Sequence, residues 1–92
     1  TLSLHDALPI WYKVAVSSTK KRTGVLLSKY SVGGGFQFKV YQKGKVIKTV
    51  KVKKDDDEKY VTLPKKKGTY YIKVSKLTDK TTGVYELETY KE

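Results

Sequence analysis

FQFKVYQ (residues 36–42) decides the fold. Its apolar side chains fall on alternate positions, with Phe36, Phe38 and Val40 on one side and Gln37 and Lys39 on the other. Strict alternation marks a half-buried β-strand, because successive side chains leave opposite faces of an extended backbone. Lys43-Gly44-Lys45 follows and reads as a tight hairpin turn, Gly44 supplying a positive φ. The returning strand, over about residues 46–54, sets Val50 and Val52 one way and Lys51 and Lys53 the other.

The same period recurs on both sides of this hairpin. WYKVAV (11–16) places Tyr12, Val14 and Val16 together, and TGVLLSKY (23–30) follows the basic turn Thr19-Lys20-Lys21-Arg22. Gly33-Gly34-Gly35 breaks the chain, since consecutive glycines lose the most entropy in regular structure. Downstream, Asp55-Asp56-Asp57-Glu58 reads as an acidic turn, and YVTL (60–63) as a short strand stopped by Pro64. After the turn Lys65-Lys66-Lys67-Gly68, TYYIKVSKL (69–77) turns Tyr70, Ile72 and Val74 inward. VYELETY (84–90) does the same with Tyr85 and Leu87. No window has a helical period. About seven strands, with turn signals roughly every 8–12 residues, predict an all-β chain: one antiparallel β-sandwich over residues 11–92.

The opening segment TLSLHDALPI (1–10) stands apart. Read back into codons it fits ACT CTT TCC CTA CAC GAC GCT CTT CCG ATC, which resembles a common sequencing adapter translated in one frame. The adapter's next base, T, opens the single codon of Trp11, TGG. Residues 1–10 are therefore expected to be an adapter-derived artefact outside the fold. The native polypeptide is then expected to start near Trp11 as a fragment of a longer bacterial protein recovered from metagenomic reads. The segment has neither the basic start nor the apolar run of a signal peptide. His5 and Asp6 invite a metal or catalytic reading that the artefact removes.

Charge is the second dominant feature. Lys and Arg number 20 against 9 Asp and Glu, for a net charge of +11, and Arg22 is the only arginine. A basic domain attracts polyanions such as nucleic acid, anionic lipid or wall polymer. Lysine, a strongly hydrated point charge, lacks the bidentate fork with which arginine reads phosphate, so the pattern points to diffuse attraction and solubility. Lysine on outward and edge positions also blocks edge-to-edge pairing of sheets. The chain has no cysteine, hence no disulfide and no thiolate zinc site. No apolar run approaches the ~18 residues that read as a spanning helix.

Gly68-Thr69-Tyr70-Tyr71 and Gly83, Tyr85 and Leu87 carry a resemblance. Together with the hairpin 38–47 and the opening Trp11-Tyr12-Lys13-Val14, they resemble the bacterial pre-peptidase C-terminal domain. That family is a jelly-roll-like β-sandwich appended to secreted proteases and other exported proteins. The likeness covers nearly all of residues 11–92. It implies a non-catalytic accessory or adhesion module, secreted or on the cell surface, tethered to a missing N-terminal parent domain. Some relatives bind collagen or polysaccharide. In the family an acidic pair usually precedes the Trp-Tyr strand, and upstream carboxylates bind calcium in the collagen-binding relatives. Here the leader replaces that stretch, so calcium is implied only for the intact parent.

The residues themselves give little chemistry beyond binding. Outside the leader there is no histidine and no cysteine, so Ser17, Ser18, Ser28, Ser31 and Ser75 have no base for a catalytic triad. The acidic turn and the pair Glu86 and Glu88 read as separate sets, neither forming a cleft, and no enzyme is expected. Asp55, Asp56, Asp57 and Glu58 offer hard oxygens but lack the glycine and ligand spacing of a calcium loop. A solvated turn offsetting Lys53, Lys54 and Lys59 is expected there, with no metal and no other cofactor. A lysine–carboxylate isopeptide crosslink lacks its usual Asn partner, since the chain has no asparagine, and only an Asp version remains.

Two binding readings remain. Lys20, Lys21 and Arg22 with Lys65, Lys66 and Lys67 form one patch if both turns lie at the same end of the sandwich, and ordinary solvated turns if they do not. One patch would bind an anionic wall polymer, polysaccharide or collagen in a salt-sensitive way, with Tyr41 and Tyr71 stacking on sugar rings. The rival is single-stranded nucleic acid, held by lysines and by outward rings such as Trp11, Tyr30, Tyr41, Tyr71 and Tyr90. It lacks the recognisable aromatic motifs of single-strand binders, and outward tyrosines on strands also follow from β-propensity alone.

Overall fold

The computed structural model describes the backbone of residues 2–4, together with residues 9–17, 20–30, 33–78, 80–81 and 84–91. Its strands are β1 (Leu2–Leu4), β2 (Ile10–Val16), β3 (Thr23–Lys29), β4 (Phe36–Gln42), β5 (Lys45–Val52), β6 (Glu58–Thr62), β7 (Gly68–Lys76) and β8 (Val84–Lys91). All pairing is antiparallel, in two four-stranded sheets ordered β1-β8-β3-β6 and β2-β7-β4-β5. The chain changes sheet at every connection except the β4–β5 hairpin. That order is a jelly-roll β-sandwich, and there is no helix among the described residues.

The alternating residues fill the space between the sheets. Val25 and Leu27 of β3, Phe36, Phe38 and Val40 of β4, and Tyr70, Ile72 and Val74 of β7 are fully buried. Tyr85 lies against Phe36 with ring centroids 5.1 Å apart. Its hydroxyl pairs with that of Tyr12 at 2.7 Å, joining β8 to β2 across the core. A buried phenol needs such a partner, because an unmade hydrogen bond costs about 1–3 kcal/mol.

The glycine run at 33–35 does more than interrupt the strands. A Cβ on Gly35 would collide with the Val52 carbonyl oxygen. The Gly35 carbonyl accepts hydrogen bonds from Leu77 N at 2.9 Å and from the buried Thr81 hydroxyl at 2.7 Å. The β3–β4 and β7–β8 connections are thereby tied together, with the end of β5 packed close against Gly35.

Several boundaries differ from expectation, most by one residue. β5 ends at Val52, because the Asp56 carboxylate accepts the Lys53 N–H at 3.0 Å and closes a turn there. β6 starts at Glu58, not Tyr60, because Glu58 is in register with Ser28. Glu58 is thus a strand residue and leaves the acidic turn. Leu2–Leu4 pairs with Val84–Glu86, and β2 begins at Ile10. Main-chain pairing at an open sheet edge requires only extended backbone, whatever the origin of the residues. His5 and Asp6, Ser18 and Thr19, Ser31 and Gly83 lie outside the described residues.

Candidate functional site

Strand register places the basic turns. β2 and β7 pair with Val16 opposite Gly68, so the β2–β3 and β6–β7 connections leave from the same end. The Leu63 N–H reaches the Thr23 carbonyl at 2.8 Å and ties the start of β3 to the end of β6. Lys20, Lys21 and Arg22 therefore share one end with Lys65, Lys66 and Lys67, and all six are exposed. The β4–β5 hairpin turns at that same end, adding exposed Lys43 and Lys45, and β8 finishes there with Lys91. The hairpin contribution was missed because nothing local ties residues 43–45 to residues 65–67.

Tyr41 and Tyr71 are cross-strand partners on the outer face of β2-β7-β4-β5. Trp11 joins them, its ring 4.9 Å from that of Tyr41 and tilted by 52°. Lys73 Nζ stands 5.7 Å from the centre of the Trp11 ring. Lys13 and Lys39 occupy neighbouring outward positions, opposite Tyr71 and Lys73 respectively. The strands of this sheet contain no Asp or Glu. The face carries lysines and aromatic rings and no carboxylate from its strands.

The carboxylates lie on the other sheet, towards its other end. Glu58 and Glu86 flank Ser28 from β6 and β8, and Glu88 is opposite Leu26. With Asp57, Lys29 and Tyr30 these residues line a shallow depression of about 500 Å³. The expectation of two separate acidic sets is corrected here, because β3 brings Glu58 and the β8 pair onto one surface. The Glu86 side chain hydrogen-bonds Glu88, and together with Glu86's charge this raises the Glu88 carboxyl above its ordinary range. Glu86 also repels the ionised form of the Tyr30 phenol, whose hydroxyl donates to Glu86 at 3.2 Å, and so raises the Tyr30 pKa. The depression is negative and open, and it repels a polyanion.

Asp55 and Asp56 remain in the β5–β6 turn at this far end, where Asp56 serves the backbone. No three acidic groups among the described residues are grouped to hold a metal ion. No helix among them is long and apolar enough to cross a membrane. Compared with protein-family models, curated proteins and solved structures, the chain shows no significant match.

Proposed function

We propose that this chain is a non-catalytic accessory module of an exported protein, resembling the pre-peptidase C-terminal domain, that adheres to an anionic polymer of cell wall or matrix. The observation that carries this reading is the gathering of Lys20, Lys21, Arg22, Lys43, Lys45, Lys65, Lys66 and Lys67 at one end by three connections. Like charges placed together repel in the free protein. Apposition to a polyanion relieves that repulsion and releases counterions, so binding falls as salt rises. Lysines on long stems suit a repetitive polymer, not a single shaped anion.

The test is retention on insoluble cell wall, collagen and acidic polysaccharide across a salt gradient. Lys20→Glu/Lys21→Glu and Lys65→Glu/Lys66→Glu should each release the protein at much lower salt. Lys53→Glu/Lys54→Glu, with the same charge change at the far end, should elute near the wild type. Equal losses in all three would reduce the effect to net charge, and flow-through of the wild type at low salt would reject the reading.

A second reading rests on the rings interleaved with lysines on the outer face of β2-β7-β4-β5. It predicts single-stranded oligonucleotide binding with a steep salt slope. A flat oligonucleotide titration removes it.

A further inference from the structure

The charged end leaves unexplained why large rings lie open beside it. Trp11 is 51% exposed and Tyr71 42%, both on a sheet face whose core-facing side already holds a full apolar layer. The row Lys13–Tyr71–Tyr41 runs across three strands, and the row Trp11–Lys73–Lys39 runs beside it. Thr69, Ser75 and Gln37 take outward positions along the same strands and supply neutral donors and acceptors. The face is continuous with the basic end, because Tyr41 and Tyr71 stand next to the β4–β5 turn and the start of β7.

We infer that this face stacks sugar rings and that the polymer is an acidic polysaccharide. Its pyranose rings lie on Trp11 and Tyr71, while carboxylate or sulfate groups meet Lys13, Lys39 and Lys73. This rests on the polyanion reading and narrows it. A polyphosphate chain gains nothing from aromatic rings. The strands also lack arginine, the side chain that both stacks and grips phosphate.

Trp11 is the only tryptophan, so its emission reports on this face directly. The probes are oligogalacturonate, polyphosphate of matched charge, a neutral β-glucan oligosaccharide and oligo(dT). Oligogalacturonate should shift Trp11 emission and bind at least about tenfold tighter than polyphosphate. Tyr71→Thr keeps a strand-forming residue but removes the ring. It should weaken oligogalacturonate about tenfold and leave polyphosphate within about twofold. Tyr71→Phe should behave as wild type, and thermal melts of both variants separate lost binding from lost folding. Unmoved Trp11 emission, or equal loss for both polyanions in Tyr71→Thr, overturns the stacking face while leaving the basic-end reading standing. Tighter binding of oligo(dT) than of oligogalacturonate assigns the face to nucleic acid. Binding to the neutral glucan alone, or to none of the four probes, overturns this inference and the polyanion reading together.

Discussion

Lys43 sits at φ 53° ahead of Gly44 at φ 78°, so both central residues of the β4–β5 turn are left-handed. A two-residue turn of this kind matches strand twist and favours Asn-Gly. Lysine there costs about 1 kcal/mol relative to a residue that tolerates the conformation. Lys43→Asn should therefore raise the unfolding midpoint in urea, by roughly 1 kcal/mol of stability. Gly35→Ala should lower it by about 3 kcal/mol, because the new methyl meets the backbone of Val52 and Lys53 rather than a movable side chain. Glu88 gives a pH-dependent case. Its carboxyl is raised in the folded state by Glu86, so ionisation costs stability as pH rises through that raised value. Glu88→Gln should stabilise slightly at pH 7, and the gain should vanish once the pH is low enough to protonate the wild-type carboxyl. Gly44 could be read from sequence because its turn is local. Gly35 could be read only as a chain breaker, because its partner Thr81 lies 46 residues away.

At the scale of elements, period-two patterning was enough to place seven strands and their inner faces, from Tyr12, Val14 and Val16 to Tyr85 and Leu87. The strand ends are not set by that period, because an end depends on what the neighbouring strand offers: Ser28 opposite Glu58 extends β6 past the acidic turn. β5 is a sheet edge with exposed Val46 and Ile47, and Lys45, Lys48 and Lys51 are exposed along it. Charged edge residues oppose pairing with another chain. Lys48→Val/Lys51→Val should keep the monomer's strand content yet produce self-association, seen as light scattering that grows with concentration. β1 is a three-residue edge strand. Deletion of residues 1–9 should leave a folded sandwich with a slightly lower melting temperature, and global unfolding would make the segment integral to the domain.

For the molecule as a whole, sheet order is the information that composition and period do not contain. The same strands could have sent residues 20–22 and 65–67 to opposite ends, and the pairing of Val16 with Gly68 decides otherwise. Likewise no short stretch announces that Glu58 will face Glu86 and Glu88, or that Trp11 will meet Tyr41, since both meetings are made across strands. The β2–β3, β4–β5 and β6–β7 connections share the basic end, and the β3–β4, β5–β6 and β7–β8 connections share the other. Loop parity therefore fixes orientation. A cysteine introduced in the Lys53–Asp57 turn and coupled to a maleimide bead would mount every molecule the same way up. The cationic pole would then point into solution on every molecule, giving a coating of uniform orientation and uniform positive charge.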